Sequence, residues 1–269
     1  NFYQHVLSYN PEMKTFWRID SLMECEYDKI RINYENVPFH GGKMKKVIFD
    51  VDGVLLSEER YFDIAALTVW EILYSPKYMG MPAEKDNFIV GTVNEGRIAE
   101  CRKSVWGNGT LISWLKARGI NSNWDMVHAA LITIFWIMAE VYSARSGGEK
   151  VAFRLESEKD VQETGKILMG IPVPSADKIL EKWEKTVPEG IYGEDVIHTL
   201  AAAMAPSFAN PDTWAELRSF FWKIHTSAFQ EWYLGDDNYI RYLHKAPYSG
   251  GIPGQGNTAC SAFWHKEYV

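Results

Sequence analysis

In "KKVIFDVDGVLLSEERYFD", residues 45–63, two carboxylates stand two positions apart directly after a short apolar run. The run 46–51 is β-branched and aromatic and ends in a Gly turn, which is the pattern of a buried strand. A carboxylate ending such a strand projects from the carboxyl edge of a parallel sheet, where open α/β folds bind ligands. Exposed there, Asp50 can attack phosphorus to give an acyl-phosphate. Val51 points to the opposite side, so Asp52 returns to the site. It is then placed to protonate a leaving oxygen and later to deprotonate water. Two close carboxylates repel, and a hard cation such as Mg²⁺ relieves that repulsion while neutralising phosphate charge. Gly53 permits the sharp exit from the strand.

"VIFDVDGVL", 47–55, resembles motif I of the haloacid dehalogenase (HAD) superfamily over nine positions, and the flanking Lys45-Lys46 and Leu56-Ser57-Glu58-Glu59 suit it. The resemblance implies a capped HAD-like hydrolase that cleaves a phosphate monoester of a small metabolite. Asp50 would be the nucleophile and Asp52 the general acid and base. Mg²⁺ would be held by the Asp50 carboxylate and the Asp52 backbone carbonyl. The second Asp implies a phosphatase or phosphomutase rather than a dehalogenase. The implied fold is α/β: a Rossmannoid core with a large, mainly helical cap inserted soon after motif I. A closing cap excludes water and sets substrate choice.

Such a centre also needs a Thr or Ser for the phosphoryl group, a Lys, and a later acidic pair. "NFIVGTVNEG", 87–96, ends an apolar run at Thr92, with a turn between cap helices as the preferred competing reading. "WYLGDDNY", 232–239, carries Gly235-Asp236-Asp237 and makes Asp236 the candidate third metal ligand. The residues before it (Trp214, Leu217, Phe220, Phe221, Ile224 and Trp232) keep helical spacing, so a helix-ending Gly with a solvated acidic turn explains it equally well. Lys223 and Lys245 serve as the lysine only if these motifs hold. In "RGINSNWDM", 118–126, Arg118 and Asn121 are candidate substrate contacts if this junction faces motif I; Asn123 is preferred as a helix cap.

The elements that must position these groups change character at residue 57. "EYDKIRINYENVPF", 26–39, alternates like a half-buried strand. From Ser57 onward the apolar spacing is helical, with helices expected at about 57–75, 94–106, 109–118, 123–145, 157–168, 175–186, 193–204 and 211–233. Ser175, Asp212 and Asn123 are expected caps, and Gly119, Gly147-Gly148 and Gly190 expected stops. The organisation follows: 1–60 as a core portion bearing motif I, 61–240 as the helical cap, and 241–269 as a Gly/Pro-rich tail. Few residues remain after the cap, so the catalytic sheet is expected to be incomplete.

A formal net charge of −7 argues against a general nucleic-acid binder, which needs clustered cations. Cys25, Cys101 and Cys260 form no CxxC and suit a reducing compartment. The apolar run 129–142 contains Glu140 and suits a buried helix, and with no signal pattern over 1–30 the chain is expected to be cytoplasmic, without a membrane partner. The seven histidines are scattered, without an HxxxH pair. "GIPGQGNT", 251–258, lacks the P-loop lysine. The aromatic stripe 214–233, part of a chain with 11 Trp, is expected to be core, with a substrate pocket or a homodimer face as alternatives. A second functional class stays open beside the hydrolase: a helical binding or assembly module with an incomplete, inactive site.

Overall fold

A computed structural model of the chain describes residues 5–7, 47–49, 59–82, 93–209 and 213–243. The chain divides between Glu58 and Glu59 into two units. In the first, strand β1 (His5–Leu7) pairs antiparallel with β2 (Val47–Phe49), with Val6 opposite Ile48. The motif I strand exists, but its partner runs the opposite way, and among the described residues no parallel neighbour flanks it. The described structure is about 69% helical, so the expected α/β class is corrected to an all-helical one. The physical reason is that the described helices bury their apolar residues on one another in a shared core.

Eight helices are described: α1 (Glu59–Tyr74), α2 (Glu95–Trp106), α3 (Thr110–Ala117), α4 (Asn123–Arg145), α5 (Glu158–Ile167), α6 (Ala176–Thr186), α7 (Glu194–Met204) and α8 (Phe220–Leu243). Every residue of α1 from Phe62 to Leu73 is buried, and every residue of α4 from Met126 to Trp136. A helix that is apolar all round must be surrounded. α1 is packed by α2, α4 and α8, and α4 by α1, α6, α7 and α8. By length and composition α4 could cross a membrane, yet its apolar side chains are mostly buried inside this body.

Side-chain caps set the helix starts. The Asn94 side chain accepts from the Arg97 N–H to open α2, and Gly107, at φ 55°, closes it in the left-handed region. Ser122 rather than Asn123 caps α4, accepting from the Asp125 N–H at 3.3 Å. The helix expected from 211 begins only at Phe220. Residues 213–215 form a 3-10 turn, Arg218 takes a φ of +63°, and Ser219 Oγ accepts from the Trp222 N–H at 3.1 Å. Ser219 is thus the cap expected at Asp212, which lies outside the described residues.

α8 is not straight. Gly235 leaves helical geometry at φ 70°, ψ 163°. The Ser227 and Tyr239 hydroxyls lie 2.6 Å apart although twelve residues separate them. An unbroken helix would hold them about 18 Å apart. The chain therefore folds back at Gly235.

Indole N–H groups fasten these helices to one another. Trp106 donates to the Phe62 carbonyl at 3.1 Å, joining α2 to α1. Trp183 donates to Thr133 Oγ1 at 2.8 Å, joining α6 to α4. Trp232 donates to the wholly buried Glu71 carboxylate at 2.6 Å, joining α8 to α1. Trp214, Phe221 and Trp232 of the aromatic stripe lie within the core.

Two substitutions test this packing. A Cβ on Gly165 would sit 1.8 Å from the Met79 carbonyl oxygen, so Gly165→Ala is expected to cost about 3 kcal/mol in urea denaturation. Trp232→Phe leaves the Glu71 carboxylate without its indole donor and opens a void; a loss of roughly 3 kcal/mol is expected in the same measurement.

Candidate functional site

Asp50, Asp52, Gly53 and Thr92, the candidates of motif I and of the following apolar run, lie outside the described residues. Arg118 ends α3, with its guanidinium 3.9 Å from the centre of the Trp114 ring and its carbonyl accepting from the Gly193 N–H. Trp114 in turn packs on Trp183 at 5.0 Å. This arrangement gives Arg118 a packing role. Asn121 is exposed in the turn before α4. Asp236 follows the break at Gly235, and its side chain lies outside the described ones. Among the described residues, no three His, Cys, Asp or Glu side chains gather so that they could hold a metal ion.

The start of α1, seven positions after Asp52, is an ion network. Asp63 accepts from Arg102 and from Arg60, each at 3.1 Å; Arg102 also bonds Glu59, and Arg60 reaches Glu95 at 3.5 Å. Burial raises the Asp63 carboxyl above its ordinary value, although both arginines pull it down. Lys116 Nζ lies 5.0 Å from the Phe62 ring centre. The network fixes the entry to the helical body.

A second polar group joins α4, α8 and the turn before α8. Asp125 and His128 lie one turn apart on α4, and Trp222 and His225 one turn apart on α8. Trp222 Nε1 donates to Asp125 Oδ1 at 2.9 Å. His128 Nδ1 lies 2.9 Å from His225 Nε2, and His128 Nε2 lies 2.7 Å from the Ala215 carbonyl oxygen. Both imidazoles are wholly buried, against Phe221 and Trp222.

The carbonyl fixes the tautomers. Ala215 O can only accept, so His128 Nε2 carries the hydrogen. In a neutral ring Nδ1 is then an acceptor, and His225 Nε2 must donate to it. His225 Nδ1 is left as a bare lone pair, and it has no hydrogen-bond partner among the described residues. Burial pushes His128 down to about 4 against the pull of the Ala215 carbonyl. His225 is driven well below its ordinary value by burial and then by His128. Asp125 is raised by burial, offset by its bonds from Trp222 and Ser122. Near neutrality the pair is uncharged.

Such a pair can hold or share one proton. Both rings are wholly buried, so neither lone pair is open to solvent. An open hollow of about 400 Å³ lies elsewhere, at the end of α4, lined by Glu140, Ser143, Lys150 and Ser207, and Lys182 bonds the Glu140 carboxylate. The histidine pair escapes sequence reasoning because its members are 97 residues apart. One signal existed: in "MVHAAL" the imidazole sits inside an otherwise apolar helical run.

No family model matches the sequence, and no curated protein matches it. Among solved structures, the X-ray structure of a Northeast Structural Genomics Consortium target resembles the chain with a TM-score of 0.58 and 24% identity over 77% of its length. The chain spans about half, 54%, of that structure. At this identity the likeness is one of fold.

Proposed function

We propose that the chain hydrolyses phosphate monoesters of small metabolites through an aspartyl-phosphate on Asp50, with Asp52 as general acid and base. The observation that carries this reading is the nine-residue run "VIFDVDGVL", with its two acids two positions apart in the sequence.

The step balances on these two residues. An Asp50 oxygen attacks phosphorus, the bond from phosphorus to the ester oxygen breaks, and Asp52 gives its proton to the departing alkoxide. Water then attacks phosphorus while Asp52 takes its proton. The bond between phosphorus and the Asp50 oxygen breaks, and inorganic phosphate leaves. The Mg²⁺ that the resemblance implies finds no set of three ligands among the described residues, and no step here passes through it.

One observation favours the second reading, a helical binding or assembly module. β2 is flanked by an antiparallel strand rather than by the parallel neighbours that would build a catalytic edge. A single experiment separates the two. Hydrolysis of an aryl phosphate in the presence of Mg²⁺ is expected to fall on the order of a thousandfold in Asp50→Asn. A phosphoryl adduct on the peptide bearing Asp50 is expected in mass spectra of the quenched wild type. Equal rates in wild type and variant, or no rate above background in either, would support the module.

A further inference from the structure

We propose that the His128–His225 pair is an acid-sensitive latch: neutral, it ties α4, α8 and the 213–219 turn together, and uptake of one proton opens that joint. The argument is independent of the hydrolase reading and rests on where a hydrogen can go. The neutral pair has two ring hydrogens, one facing Ala215 O and one lying between the rings. A third hydrogen has one place left, Nδ1 of His225. Whichever ring then carries the charge, that N–H points at no acceptor among the described residues, in a wholly buried site. A buried donor without an acceptor, joined to a buried charge, strongly favours letting water in.

The titratable and charged groups on the packed elements do not compensate. On α4, Asp125 is engaged by Trp222; on α1, Glu71 is engaged by Trp232. On α7, Glu194 pairs with Arg218 and His198 with Glu216, both partners coming from the turn before α8. On α8, Lys223 is exposed, and Glu231 is buried two turns beyond His225. The influences acting on the pair are burial, the Ala215 carbonyl and the two rings on each other.

The joint also contains a constrained backbone position. Arg218 holds a φ of +63°, a region that side chains rarely adopt, between the 3-10 turn at Thr213–Ala215 and the cap at Ser219. Loss of the bond from His128 to Ala215 O would free one end of that turn. The sign follows from linkage: both rings bind protons more weakly folded than unfolded. The joint is therefore stable above the ordinary histidine value and weakens as pH falls below it.

The test uses the full chain. Amide protection over 214–229, corrected for the pH dependence of intrinsic exchange, is expected to fall by up to about a hundredfold per pH unit below pH 6, because the opened joint can bind a proton on each ring, while α6 holds. His225→Gln keeps an N–H for His128 Nδ1 and leaves only His128 to titrate, so its protection over 214–229 is expected to fall less steeply, by no more than about tenfold per pH unit. Nitrogen NMR of the wild-type imidazoles is expected to show His225 Nδ1 without a hydrogen at pH 7.5. A hydrogen on that atom, flat protection in the wild type, or a fall in His225→Gln parallel to the wild type would each overturn the latch. Should His225→Gln not fold, the two wild-type measurements decide.

Discussion

An indole carries one donor on a large apolar ring, and that pairing governs this body. Helices α1 and α4 are buried all round, so no solvated face remains to orient them. Apolar contact alone is non-directional and would tolerate rotation or sliding of such rods. Directional bonds from Trp106, Trp183, Trp222 and Trp232 each reach one named acceptor on α1 or α4. Each ring adds buried area on the order of 200 Å² while its N–H fixes rotation and height. The tryptophan-rich composition has its use here.

The same constraint explains two acids, the wholly buried Glu71 and the half-buried Asp125. Glu71 and Asp125 would be costly in an apolar helix face without donors. Each is met by an indole from α8. The histidine pair extends this logic with a different acceptor, a main-chain carbonyl from a turn that α7 also holds. α8 thus meets α1 and α4 through three polar bonds at different heights, and this fixes it across both central helices. The reversal at Gly235 then brings Tyr239 back to Ser227 and closes the far end.

Local pattern was legible where the deciding interaction is local. Helices at 95–106, 123–145 and 176–186 could be read from apolar spacing and cap residues, because both act within a few turns. The helix expected from 211 failed for a tertiary reason. Residues 213–219 keep helical apolar spacing, yet Ala215 O is taken by His128 and Ser219 supplies the cap. The fold class failed differently. Val47–Phe49 carries a strand signal, but a strand does not encode the direction of its partner, and His5–Leu7 lies some forty residues away. The polar joint was illegible because its members pair across separations near one hundred residues.

The corrected sheet geometry bears on the acid pair in a specific way. Side chains two apart share a face in any extended strand, whichever way the neighbour runs, but Asp50 and Asp52 follow the end of β2 and lie outside the described residues. What the antiparallel partner removes is the edge where parallel strands and following helices converge their N–H groups on a phosphate. Arg60 and Arg102 are committed to Asp63, Glu59 and Glu95, and Arg118 to the Trp114 ring. Releasing either arginine from Asp63 would leave that carboxylate, already raised by burial, with half its compensation. Arg60 and Arg102 are therefore held by the acids at the start of α1 and α2, and Arg118 by its aromatic neighbour.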